Sequence, residues 1–242
     1  MTISQAILPI PIDIVFTIIF TLISLMLGII MILKYFKYKI RELVFAGVTW
    51  CIITSPFWAD IISYLWFLLF NRPLTDFAYF FLTIGFIPIA HITWMVFFTS
   101  FFLKKYQKEV VLIFLIESII FEIAFIYFLI EDPSNIATRI PFTSVEWTPF
   151  ILFYLFASIL LFLLTGIIFT LQCFKSDNAE TKLKGYFLLI AFLSFIIGII
   201  IEIIPIFFDL KYVLSRLIIL SAAIEFYIGF ILPDWIKKVF LK

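Results

Sequence analysis

From Thr148 to Phe174 the chain reads TPFILFYLFASILLFLLTGIIFTLQCF, without one charged residue. A run of this length and apolarity is about what a helix needs to cross the ~30 Å of hydrocarbon in a bilayer. Inside lipid the backbone must satisfy its own hydrogen bonds, and one continuous segment does so as an α-helix. Comparable runs recur along the whole chain. With 65% hydrophobic and 14% charged residues and a mean hydropathy of +1.23, it lies far outside the ~45–50% apolar usage of soluble domains. Its 242 residues hold about seven spans of ~20 residues with short loops. The sequence therefore predicts an all-α, polytopic membrane bundle: one domain over 1–242, no separate soluble domain, and seven transmembrane helices at about 12–33, 43–70, 77–103, 110–130, 149–174, 185–208 and 212–232.

Proline, glycine and capping residues punctuate these spans. Pro9 and Pro11 mark an extended lead-in, and without a basic stretch before the first apolar run no signal peptide is expected. Pro56 predicts a kink in span 2, and Gly85 with Pro88 a weak point in span 3. The 131–148 connection is the longest loop and carries Trp147 at the membrane interface. Thr148 and Pro149 form an expected N-cap and first helical residue for span 5, which should be the most lipid-facing helix. Asp177 followed by Glu180 resembles a capping box for span 6. A tight turn is expected at Asp209, and Pro233 should end span 7 ahead of a short interfacial helix in DWIKKVFLK. Cys51 and Cys173 support no disulfide framework.

Basic residues set the orientation. The connections after spans 1, 3 and 5, together with the C-terminus, hold 13 of the 17 Lys and Arg, so the positive-inside rule places the N-terminus outside and the C-terminus in the cytoplasm. The expected location is the plasma membrane.

Ionisable groups inside the spans are costly in hydrocarbon, about 2.5–3.5 kcal/mol each on insertion scales, and each calls for a partner or a role. Glu202 and Arg216 lie equally far from Asp209 on opposite arms of the last hairpin, roughly 10 Å below the outer face. Together with Asp60 and Glu122 they make an outer tier; Glu117 and Glu225 make an inner one, with His91 near the midplane. At 100° per residue, Thr49, Pro56, Asp60, Ser63, Tyr64 and Asn71 share one stripe of span 2 that should face the bundle, while Trp50, Trp58 and Trp66 point elsewhere, to lipid or to other helices. Ala191, Gly198, Glu202 and Pro205 share a face of span 6 suited to close helix packing. Arg216 either snorkels outward or pairs with Glu202. Glu225 shares a face with Ser221, Ala222 and Gly229, so a structural carboxyl in a helix seam stands beside a proton or ion role. His91 has Ile84, Ile87, Trp94, Met95 and Phe98 on its face, the setting of a buried, satisfied imidazole, with a ligand or relay role as the other reading. Asp60, Tyr64, His91, Glu122, Glu202 and Arg216 are the candidate ligand-binding residues, and Glu117 and Glu225 the proton or ion candidates.

The chain carries no HExxH, no GxGD aspartyl-protease pattern, no Walker loop, no dinucleotide fingerprint and a single histidine, so neither catalysis nor a metal site is expected. Retinal is not expected either, since a Schiff base would need a lysine within the seventh span, and Lys211 sits at its edge.

The segment GFIPIAHITWMVFFTSFFLKKYQK, from Gly85 to Lys108, resembles the third span of the seven-helix sensory regions at the N-termini of some histidine kinases. KSDNAETKLKGYFLLIAFLSFIIG and IEFYIGFILPDWIKK are similar to segments of uncharacterised seven-helix proteins of archaea, especially the Asgard lineages. The resemblance implies a seven-helix input module and assigns no functional residue; in departure from the kinase pattern, no output domain is expected after the last span. A sensor or receptor-like module is thus expected, binding a small or lipidic ligand in the outer half of the bundle and acting through a cytoplasmic partner. A proton- or cation-coupled transporter and a membrane scaffold are the alternatives. Membrane lipids are expected partners, and nucleic acid is not.

Overall fold

The computed structural model describes residues 12–140, 144–203 and 211–241, with the backbone alone at 140, 144, 202, 203, 211 and 212. Helices dominate these residues: α1 (Ile12–Tyr38), α2 (Arg41–Ile53), α3 (Ser55–Phe70), α4 (Asp76–Ile84), α5 (Ile87–Phe102), α6 (Gln107–Glu131), α7 (Pro149–Phe174), α8 (Ala179–Ile203), α9 (Lys211–Ile231) and α10 (Asp234–Phe240). Six stretches are long and apolar enough to cross a membrane, and the number rises to seven when the bent pair α2 and α3 is taken as one span. This is the build of a multi-pass membrane protein. The expected turn at Asp209 lies outside the described residues.

Both helix breaks fall at the prolines. A proline removes a backbone N–H and its ring crowds the carbonyl four residues earlier. Ahead of Pro56 the axis turns by 45° between α2 and α3. Thr54, fully buried at the break, donates its hydroxyl to the Cys51 carbonyl at 2.7 Å and accepts the Trp58 indole N–H at 3.1 Å. The side chain thereby replaces hydrogen bonding that the bend removes. Around Pro88 the helix is interrupted between α4 and α5, and the Pro88 carbonyl accepts the Ser118 hydroxyl of α6 at 3.2 Å.

Contacts between helices define a ring. α1 packs on α2 and α9, α2 on α5, α5 on α7, α7 on α8, and α8 on α9. Each of these six elements sends at least one large side chain to a shared centre: Met31, Trp50, Trp94, Phe162, Phe192 and Phe226. Trp50 therefore makes helix contacts, its ring 4.8 Å from Phe226 and 5.8 Å from Phe195. α6 stands outside the ring, against α5 and α4. Only 17% of its apolar window is buried, against 33% for α7, so the most lipid-exposed span is the fourth and not the fifth. Absence of charge in α7 reflects its central neighbours as much as lipid.

A second apolar cluster fills one end of the molecule, where Phe80, Phe121, Phe125, Ile136 and Ile151 meet. A short antiparallel hairpin, β1 (Ala137–Ile140) and β2 (Ser144–Trp147), closes over it in the register Ala137 to Trp147 and Arg139 to Val145. Sequence periodicity reads this connection as a plain loop, because four residues are too few for an alternation to stand out. Thr148 holds the expected N-cap position and Pro149 opens α7, but the Thr148 hydroxyl caps nothing there and donates to the carbonyls of Asn135 and Ile136, each at 3.0 Å, fastening the hairpin. Just before the hairpin the Ser134 N–H donates to Asp132 at 2.9 Å and holds that exposed carboxyl below its usual range.

At the start of α8 the cap is Asn178 rather than Asp177, its Oδ1 accepting the N–H groups of Glu180 and Thr181 at 2.8 and 3.3 Å. Glu180 is thereby released from a capping box and pairs with Lys237 of α10 at 2.9 Å, which keeps that ammonium above its usual range. α10 buries Ile236 and exposes Trp235, Val239 and Phe240, the two-faced pattern expected after Pro233.

Without a hydrophobic force between helices in lipid, close packing and hydrogen bonds carry association. α1 and α2 cross at Gly28 and Gly47, where a Cβ on Gly47 would stand 2.6 Å from the Gly28 carbonyl oxygen and 3.1 Å from the Ile32 backbone nitrogen. α8 and α9 meet at Gly198, whose carbonyl accepts the Ser215 hydroxyl at 2.9 Å. Gly47→Ala should lower stability by about 1–3 kcal/mol, because backbone atoms cannot rotate away. Gly166→Ala should cost less, since its new methyl meets one edge of the Phe192 ring, a side chain that can shift, and no backbone atom among its nearest neighbours. Thermal unfolding of both variants in detergent checks the ranking.

Candidate functional site

Arg216 lies in α9 with 4% of its surface exposed, so it does not snorkel. A guanidinium in such surroundings needs partners from other helices. Its Nε donates to the Thr17 hydroxyl of α1 at 3.0 Å, its Nη2 stands 3.8 Å from Asp60 Oδ2 of α3, and its Cζ lies 4.4 Å from the Phe57 ring centroid. The Phe57 face supplies a cation–π contact. The other oxygen of Asp60 accepts the Tyr79 phenol at 2.6 Å, the short length of an O–H group donating to a charged carboxylate.

The line of charge continues to the hairpin. Arg139 of β1 lays its guanidinium 4.2 Å from the Tyr79 ring centroid, places Nε 3.0 Å from Asp76 Oδ1 and donates to the Leu74 carbonyl. Its side chain is 4% exposed. Asp76, Arg139, Asp60 and Arg216 thus alternate in sign, with the Tyr79 ring and hydroxyl bridging the middle. Asp60 itself keeps 30% of its side chain open.

His91 belongs to a different cluster. It is 3% exposed, with Nε2 2.9 Å from the Ser158 hydroxyl of α7 and Nδ1 3.4 Å from both Glu117 Oε2 of α6 and the Tyr154 hydroxyl. The face read from the sequence is buried throughout: Ile84, Ile87, Trp94, Met95 and Phe98. Glu225 stands apart from both groups. Ser221 donates to its Oε1 at 2.7 Å, and its buried Oε2 accepts no hydrogen bond among the described residues.

Two members of the expected outer tier, Asp60 and Arg216, thus meet. Arg216 takes Asp60 as a partner, and the expected Glu202 pairing lies outside the described side chains. Glu122 is half-buried on α6 and makes no hydrogen bond or ion pair among the described residues. Glu117 turns to His91, while Glu225 sits on α9, which packs on α8 and α1, so the two do not meet among the described residues. Tyr64 is buried with Thr49 and Ser63, as the stripe predicts, but makes no hydrogen bond to Asp60. A central void of ≈ 40 Å³ lies among the aromatic residues, with Trp50, Trp94 and Phe195 in its wall, and no predicted ligand-binding residue lines it. Room on that scale suits one or two waters and no larger guest.

No protein-family model matches the chain, and comparison with curated proteins and with solved structures found no similar protein. Roles accordingly rest on the chain's own geometry.

Sequence reasoning missed Thr17, Tyr79, Arg139, Tyr154 and Ser158. A signal existed for the first: Thr17, Thr21, Ser24 and Gly28 recur on one helical face of α1, and all four are buried. Tyr79 and Arg139 lie near span ends, where polar groups attract no notice, and only the hairpin brings them together. A double-mutant cycle on unfolding in detergent should give Asp60→Asn and Arg216→Met a coupling of about 0.5–3 kcal/mol. The same cycle with Glu122→Gln in place of Asp60→Asn should give none.

Proposed function

We propose that the protein is a seven-span, receptor-like membrane module, N-terminus outside and C-terminus in the cytoplasm, that binds a small or lipidic ligand beside Asp60 and signals through a cytoplasmic partner. One observation carries this reading: Asp60 is a partly open carboxylate that meets the buried Arg216 and, through Tyr79, joins the buried Arg139, and it sits on the bent span just beyond its break. A ligand bearing an ammonium or another donor group would compete with Arg216 and Tyr79 for that carboxylate.

A change there has a physical route onward. Ser55, beside the α2–α3 break, reaches the Thr83 carbonyl of α4 at 3.5 Å, next to the second break. Two weakened spans are thus tied together near the proposed ligand, and helix breaks are where a backbone rearranges at least cost. The distribution of basic residues supports the orientation, since the connections after spans 1, 3 and 5 and the C-terminal segment carry 13 of the 17 Lys and Arg.

Two measurements test this. In a chain with Cys51 and Cys173 replaced by serine, Asn135→Cys should react with a membrane-impermeant maleimide from outside intact cells, and Lys238→Cys only after permeabilisation; the reverse pattern refutes the orientation. In thermal shift assays, long-chain primary and quaternary ammonium amphiphiles should stabilise the native protein and Glu122→Gln alike. They should stabilise Asp60→Asn at least about tenfold more weakly in apparent affinity, the loss expected for one charge-assisted contact. Equal responses in Asp60→Asn and the native protein would remove Asp60 from the site.

A further inference from the structure

Between α5, α6 and α7 the His91 cluster is separate from the Arg216 line, and its hydrogen-bond directions can be assigned. The Ser158 hydroxyl donates to the Tyr154 carbonyl at 2.7 Å, one turn back along α7. Its oxygen is then left to accept, so His91 Nε2 carries a hydrogen and donates to Ser158 at 2.9 Å. The charge of the ring is decided at Nδ1, which faces Glu117 Oε2 and the Tyr154 hydroxyl, both at 3.4 Å.

With Nε2 donating to Ser158, Nδ1 is the acceptor of the neutral ring, and it faces Glu117 Oε2. Phe114 and Phe162 flank the ring, with centroids 6.4 and 5.8 Å away, and offer little compensation for two ions. A proton carried on Glu117 Oε2 would lie against that acceptor, in surroundings where a charged group has few partners.

Access completes the picture. Glu117 lies about 15 Å along α6 from Gln107 and about 21 Å from Glu131, near the middle of the span. It nevertheless keeps 36% of its side chain exposed, on the helix that stands outside the ring. The other titratable groups facing the cluster are Glu122 of α6 and Tyr154 of α7. α2, on the far side of α5, presents the uncharged Thr49 to Thr93. We infer that Glu117 and His91 form a proton-binding site open to the lipid-facing side of the bundle, in which the Glu117 carboxyl holds one exchangeable proton against His91 Nδ1.

A hydrophobic carbodiimide reports on such a group. The protonated carboxyl adds across one C=N bond, its oxygen bonding the central carbon and its proton passing to nitrogen. An acyl shift to nitrogen then leaves a stable N-acylurea that retains the whole reagent. The full chain in detergent, treated with dicyclohexylcarbodiimide between about pH 5 and 9 and mapped by peptide mass spectrometry, should carry the adduct on Glu117, with labelling falling as pH rises. Glu117→Gln should abolish that adduct and Glu122→Gln leave it in place. His91→Phe, which removes the acceptor of the acid proton, should move the labelling midpoint down by about one pH unit, a tenfold loss of proton affinity. Infrared spectra at neutral pH provide a check independent of reagent access: a protonated carboxylic acid band in the native protein should be missing in Glu117→Gln. Labelling of Glu117 that ignores pH, an unchanged midpoint in His91→Phe, or identical infrared spectra for the native protein and Glu117→Gln would each overturn the site.

Discussion

A guanidinium buried in a hydrocarbon-like bundle cannot be left to itself, and the arrangement around Arg216 follows from that requirement. Its partners come from α1 and α3, and through Tyr79 and Arg139 the same line of charge draws in α4 and the β1–β2 hairpin. Sequence-distant segments are thereby held in one register. Apolar packing alone is tolerant of sliding between helices, whereas a charge with directional partners is not. The single turn at Thr54 matters for the same reason, because it angles α3 so that Asp60 reaches Arg216 while α2 keeps Trp50 in the central cluster.

The ring of helices explains why polar groups separate into three places. Its centre is occupied by large apolar side chains from six helices, around a void of ≈ 40 Å³. Among the described residues Thr49 is the one polar residue in its wall, and ionisable groups lie instead between neighbouring helices: Arg216 among α1, α3 and α9, His91 among α5, α6 and α7, and Glu225 beside Ser221. The proton site proposed at Glu117 lies at the periphery, on the helix that stands outside the ring.

Much of the fold is legible in the residues themselves. The charge-free run ending at Phe174 is a helix with Pro149 at its start, and Pro56 and Pro88 lie beside the two breaks. The stripe of Thr49, Ser63 and Tyr64 is buried, as is the apolar face around His91. The site is less legible. Depth along a span says how far Arg216 lies from a membrane face but not which neighbour stands opposite, and Asp60 and Glu202 both satisfy that measure. Caps are hard to read where two candidates sit side by side, as with Asp177 and Asn178, because the choice depends on where the backbone enters its first turn.

Hydropathy, proline positions and the alternation of basic connections are properties of the chain as written, and by themselves they determined a helical, multi-pass architecture and where its spans bend. Which helix stands outside the ring, which carboxylate meets Arg216, and that Glu117 rather than Glu225 finds His91 were decided only by tertiary packing. The physical reason is that helix formation in lipid is settled within each segment by its own hydrogen bonds, whereas the partner of a buried charge is settled by how close two backbones can come. At Gly28, Gly47 and Gly198 that approach is set by the absence of a side chain, and its consequences appear only when both helices are in place.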